Sequence, residues 1–129
     1  MREIKFRAWN KYKNEMNKRV AVSGKNVIAI WADDYGQICS RFIDDQNDAR
    51  YDYIPMQYTG LKDKNGVEAY HKDIGIDKFN KKVIIEWNEN HLCYGLLTID
   101  DIVKDEWNFC LKDLVEIIGN IYENKEELA

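Results

Sequence analysis

Asn65-Gly66 is the feature that most constrains this chain. The pair lies between Met56-Gln57-Tyr58-Thr59 and Val67-Glu68, on a stretch with little helical character. Asn-Gly supplies the positive φ angles of a tight type I′ turn, and that turn joins antiparallel neighbours. A β hairpin is therefore expected across residues 61–67, and its strands need partners of their own. The N-terminal segment agrees with a β reading. Ile4, Phe6 and Ala8 alternate with Lys5, Arg7 and Trp9, which puts the two sets on opposite faces of a strand. Residues 10–14 are polar and turn-like, and residues 16–22 read as the return strand. The β-branched run 27–31 pairs across Asp33-Asp34-Tyr35-Gly36 with residues 37–43.

Residues 44–52 are acidic and unpatterned, and read as a linker or loop. Extended chain resumes over 53–58, where Pro55 marks an edge or entry point because it cannot donate to a ladder. Residues 73–76 form a short strand. Residues 82–87 and 92–99 pair across Asn88-Glu89-Asn90, and 107–111 and 116–122 are further strands. Over 100–114 the apolar spacing also fits a helix; the aromatic residues Trp107 and Phe109 favour a strand. Residues 123–129 read as a helical turn or a frayed end. The fold class is all-β or β-rich α+β, in two small units, 1–52 and 53–129.

The chain has 129 residues, 45% hydrophobic and 12% aromatic, which is enough apolar material for a real core despite 33% charge. Its longest apolar runs, 27–31, 83–85 and 95–97, fall far below the roughly 20 residues of a membrane span. The start of the chain shows no secretory pattern, so a cytoplasmic protein without membrane contact is expected. Cys39, Cys93 and Cys110 lie in apolar stretches without paired spacing, and read as free, buried, unreactive thiols. The net charge of −4 hides an asymmetry. Residues 1–25 carry eight Lys/Arg against two acids, whereas residues 100–129 carry nine acids against three Lys.

Three segments together carry a family likeness: Arg2-Glu3-Ile4-Lys5-Phe6-Arg7-Ala8-Trp9-Asn10, Met56-Gln57-Tyr58-Thr59-Gly60-Leu61-Lys62-Asp63-Lys64-Asn65-Gly66, and Glu116-Ile117-Ile118-Gly119-Asn120-Ile121-Tyr122. In this order, over nearly the whole chain, they resemble the YopX family of phage and prophage proteins of Gram-positive bacteria. The resemblance implies a β-rich fold with an SH3-like small barrel from about residue 56 onward, and a life in the bacterial cytoplasm. It implies no catalytic residue. One departure stands out: the family pattern has Gly before the Asp of its next strand, and this chain has Lys72 before Asp73.

Catalytic signatures are missing from the sequence. Ser23 and Ser40 are the only serines, no Gly-rich loop opens a helix, and the Asp pairs 33–34, 44–45 and 100–101 fit turns. His91 with Cys93, and a distant Cys110, could begin a zinc site, but a packed Cys93 beside a turn His91 is the simpler reading. No catalytic residue, cofactor or metal ligand is assigned, and a non-catalytic binding protein is expected. The candidate binding face is Lys5, Arg7, Trp9, Lys11, Tyr12 and Lys13, where cations interleave with aromatics. That pattern suits a nucleic-acid backbone and its bases. A solvated face, or one packed on the acidic C-terminal segment, explains it equally. Protein association, including a homo-oligomer built through strand edges at 4–9 and 117–122, is the favoured function; nucleic-acid binding is the alternative, and an enzyme with an unrecognised site is a weaker one.

Overall fold

The computed structural model describes residues 4–23, 26–32, 38–42, 53–99 and 106–128. The chain divides into two compact units, Glu3–Gln57 and a second that runs from Tyr58 to Ala129. The change of unit falls inside a strand, five residues after the expected boundary at 52/53. The expected loop 44–52 lies outside the described residues. The architecture is antiparallel β, and among the described residues no helix is long and apolar enough to cross a membrane.

The first unit contains β1 (Phe6–Asn10), β2 (Glu15–Ser23), β3 (Asn26–Ala32), β4 (Ile38–Phe42) and the start of β5 (Tyr53–Lys62). Their order is β4-β3-β2-β1-β5, all antiparallel. β1 pairs with β2 through Trp9↔Met16 and with β5 through Trp9↔Ile54. It is an inner strand, so the expected free edge at residues 4–9 does not exist: β5 returns to pair with it. Arg7, Ala8, Trp9 and Asn10 are all buried, so both faces of the strand are covered. The alternation at 4–9 correctly marks a strand, but it does not separate core from solvent. Pro55 pairs opposite Ala8. There β5 has a described partner on one side only, where a missing N–H is tolerated.

In the second unit, β5 pairs with β6 (Glu68–Tyr70) through Tyr58↔Tyr70 and Lys62↔Glu68. A five-stranded sheet follows in the order β10-β9-β8-β7-β11. Its strands are β7 (Asp73–Asp77), β8 (Lys82–Asn88), β9 (Cys93–Thr98), β10 (Trp107–Asn108) and β11 (Leu114–Asn120). Val83 and Ile85 alternate on one face of β8, opposite Thr98 and Leu96, and with Leu96 and Ala69 they form the core. Tyr94, Leu111, Leu114 and Ile117 pack around it. Full burial of each large aliphatic side chain contributes about 1.5–3 kcal/mol, so this small cluster is sensitive to truncation.

β11 spends seven residues against the five of β7, with register shifts between Leu114 and Glu116 and between Ile117 and Gly119. Such bulges bend and twist a strand. Gly75 permits the close approach: a Cβ there would meet the Leu114 side chain and lie 2.7 Å from the Glu116 carbonyl oxygen. The strand expected over 107–111 stops at Asn108. Asn108 Oδ1 accepts the Cys110 amide (2.9 Å) and Nδ2 donates to Asp113 Oδ2 (2.8 Å), which turns the chain into a 3-10 turn at Leu111–Asp113. The C-terminal segment makes a 3-10 turn at Lys125–Leu128.

Candidate functional site

Exposed apolar side chains of the second unit gather at its turns, and the turns are held by their own side chains. The β5–β6 turn begins at Asp63. Its Oδ1 accepts the amides of Asn65 (2.8 Å) and Val67 (2.9 Å), Gly66 N–H donates to Asp63 O (3.0 Å), and Asp63 N–H donates to Val67 O (2.8 Å). Gly66 has φ +80, while Asn65 is not among the positive-φ residues. This is a type I turn closed by a left-handed Gly bulge, not the expected type I′ turn, which needs positive φ at both central residues. The hairpin stands; its turn has one more residue.

The same turn recurs between β7 and β8. Asp77 Oδ1 accepts the amides of Phe79 (2.9 Å) and Lys81 (2.8 Å), Asn80 N–H donates to Asp77 O (3.0 Å), and Asp77 N–H donates to Lys81 O (2.9 Å). Asn80, at φ +61, stands where Gly66 stands in the first. Both turns hold the start of β11: Lys64 N–H donates to Val115 O (3.0 Å) and Lys78 N–H to Asp113 O (2.8 Å). Asp63 Oδ2 also accepts the Ile117 amide at 2.8 Å. These contacts occupy part of the outer side of β11, so the expected free edge at 117–122 is already capped. Burial pushes the Asp63 carboxyl up, but the three backbone amides and the Lys64 charge outweigh it and hold the group below its ordinary range.

A second turn type serves the longer loops. Asn10 Oδ1 accepts the amides of Tyr12 and Lys13 (2.9 and 3.1 Å), and Asn88 Oδ1 those of Asn90 and His91 (3.0 and 2.9 Å). Each loop closes on a left-handed residue, Asn14 at φ +53 and Leu92 at φ +53. Asn tolerates that region; Leu does so at a cost of about 1–2 kcal/mol. Leu92 is also 71% exposed, and Phe79 is 63% exposed at the apex of its turn. Beside Leu92, Trp87 and Phe109 are each more than a third exposed, and the Phe109 ring stacks on His91 at 4.3 Å. Trp107 stacks on the same Phe109 at 5.7 Å, and the two rings lie over Gly95, where any Cβ would meet both at 3.0 Å.

Lys72 is the other side chain held in the left-handed region, at φ +74. This is the position where the family pattern has Gly. The strain has a visible return: Lys72 Nζ reaches both oxygens of Glu86 (2.6 and 2.8 Å), and His71 Nε2 lies 3.3 Å from Glu86 Oε2. Burial raises the Glu86 pKa, but hydrogen bonds and charge from His71 and Lys72 more than reverse it. Lys72 is also pinned through its backbone, donating to Ile85 O and accepting from Ile121. The cluster reads as a structural tie between β8 and the chain that enters β7.

The six residues expected to share a binding face are divided. Arg7 and Trp9 are buried, with Arg7 Nη2 3.7 Å from Met56 Sδ. Lys5 is half-buried. Lys11, Tyr12 and Lys13 are exposed together on the Asn10-capped turn, Tyr12 by 61%. The thiols also depart from expectation. Cys110 is exposed because it follows the end of β10, Cys93 is half-buried, and Cys39 lies on β4 without a described side chain. Among the described residues no group of three or more His, Cys, Asp or Glu could hold a metal ion, and His91 is an exposed turn residue with Nδ1 3.1 Å from Asn88 Oδ1. The exposed Leu92 and Phe79 escaped sequence reasoning. Their signal was an apolar residue at a turn position where Asn or Gly is expected, and another inside a lysine-rich turn.

No curated protein matches this chain. Among solved structures it is similar to the crystal structure of protein EF1440 from Enterococcus faecalis, at 26% identity and a TM-score of 0.66, with 100% of each chain covered. The family model described as YopX protein matches residues 5–129, which span all the strands above. On that match, the chain belongs to the YopX family.

Proposed function

We propose that this protein is a non-catalytic accessory module that works by binding protein, copies of itself included, in the cytoplasm of a bacterium that carries a phage or prophage. The observation that carries this reading is the exposure of large apolar side chains on turns that are fixed by internal hydrogen bonds, above all Leu92 and Phe79. An apolar group held rigidly in water loses little conformational entropy on docking, which is what an interface anchor needs. The five-stranded sheet with its doubly bulged last strand supports an SH3-like platform for such turns. Sedimentation velocity of the purified protein from micromolar to millimolar concentration tests the reading. A concentration-dependent rise in sedimentation coefficient is expected; a monomer throughout counts against self-association.

A second reading rests on the exposed Lys11-Tyr12-Lys13 turn. It is a small cationic and aromatic tip of the kind that contacts single-stranded nucleic acid. Binding of a fluorescent single-stranded oligonucleotide that weakens steeply with salt would favour it over protein association.

A further inference from the structure

Four turns or loops of this chain close on a left-handed residue: Asn14, Gly66, Asn80 and Leu92. Three carry the residue types that the conformation favours. The fourth carries a leucine that is 71% exposed, so it gains almost no burial in exchange for its backbone strain. Lys72 shows the alternative, a strained residue whose side chain is used within the chain, on Glu86. No such internal use accounts for Leu92. A strained residue that the fold does not need points to a use outside the fold.

Leu92 is the centre of an apolar tip at one end of β8, with Trp87, His91 and Phe109 beside it. At the other end of β8 the Asp77 turn presents Phe79 to water, with Lys78 Nζ 5.2 Å from the ring centroid. β8 has seven residues, so the two features are on the order of 20 Å apart along the strand. One copy cannot satisfy its own tip with its own Phe79. The charges are complementary too. Lys78, Lys81 and Lys82 surround the Phe79 turn, and their partners Asp113, Glu106 and Glu127 hold them through partly exposed, easily exchanged ion pairs. The Leu92 loop offers Glu89 and the faces of Trp87 and Phe109, which attract a cation.

We infer that copies of this protein associate head to tail, the Phe79 turn of one docking on the Leu92 tip of the next. The inference rests on the self-association reading above and names the residues that carry it. The contact joins two different surfaces, so it closes into a ring if the rotation allows and otherwise extends.

Two variants test it, both at exposed positions. Leu92→Asn places at this loop the residue that Asn14 provides in the β1–β2 loop. It should raise the melting temperature by relieving backbone strain, and weaken self-association about tenfold or more by removing the anchor. Phe79→Ser should weaken association to a similar degree with an unchanged melting temperature. Each variant retains one intact surface, so an equimolar mixture should form a one-to-one pair that grows no further. Sedimentation velocity reads all of these. Wild-type protein that assembles while both variants assemble equally well would overturn this contact and leave self-association standing. Wild-type protein that stays monomeric at millimolar concentration would overturn both. A mixture no more associated than its separate components would refute the head-to-tail geometry.

Discussion

Asp63 ties the β5–β6 turn to a strand 54 residues away, and replacing it by Asn isolates that tie. In Asp63→Asn the retained oxygen still accepts the Asn65 and Val67 amides, so the turn persists. The new amide nitrogen takes the place of Oδ2 and faces the Ile117 N–H, donor against donor. A hydrogen bond to a charged acceptor contributes about 1.5–3 kcal/mol, so a loss of about 2 kcal/mol is expected. For a domain of this size that lowers the melting temperature by roughly 6–8 °C. The pH dependence follows from the depressed carboxyl. The stabilisation is complete above the ordinary Asp value of about 3.9 and is lost as pH falls through the lower folded value. Wild type and variant should therefore differ by about 2 kcal/mol above about pH 5 and converge in strong acid. Hydrogen exchange at the Ile117 amide, followed by NMR, reports the tie locally even if the two units unfold separately. Unchanged protection of that amide in the variant, or a stability difference that persists in strong acid, would refute the reasoning.

Three further outcomes are expected. Gly66→Val should cost about 1–2 kcal/mol from backbone strain alone, because no atom lies within 4 Å of a Cβ there; Asn65→Val, at negative φ, should cost much less, and denaturant midpoints separate the two. Native-state labelling with a thiol reagent should modify exposed Cys110 faster than half-buried Cys93, and equal rates would contradict the described burial. Lys72→Gly removes both an ion pair and a strained residue, so its stability should stay within about 1 kcal/mol of wild type, while Lys72→Ala, which keeps the strain, should fall about 1 kcal/mol below Lys72→Gly; equal stability of these two variants would show that the backbone there is unstrained.

The strands were largely legible in the sequence because each pairs local alternation with a polar turn. Val83 and Ile85 on β8, and Asn88 ending it, are readable without any tertiary contact. What was not legible depends on partners distant in sequence. β1 reads as a strand with one polar face, yet β5 covers its other edge, and Arg7 and Trp9 are buried with it. The Asn65-Gly66 pair identified the hairpin, but the turn type is set by Asp63, whose carboxylate spans two amides of the turn and the Ile117 amide of β11. The Gly119-Asn120 pair has a readable purpose only in three dimensions. Asn120 Oδ1 accepts the Tyr122 and Glu123 amides, and Gly119 leaves room for the Asn124 side chain, whose oxygen accepts the Asn120 amide. The same limit hid the candidate site, because exposure of Leu92 and Phe79 follows from which strand ends the turns occupy.

The most direct test of the account is NMR of the wild-type protein recorded at low and at high concentration. Self-association through the turns of the second unit predicts concentration-dependent shifts that concentrate at Phe79 and its neighbours and at His91, Leu92 and Phe109, with Lys11, Tyr12 and Lys13 unmoved. Spectra that do not change with concentration, or changes confined to the Lys11–Lys13 turn, would contradict it.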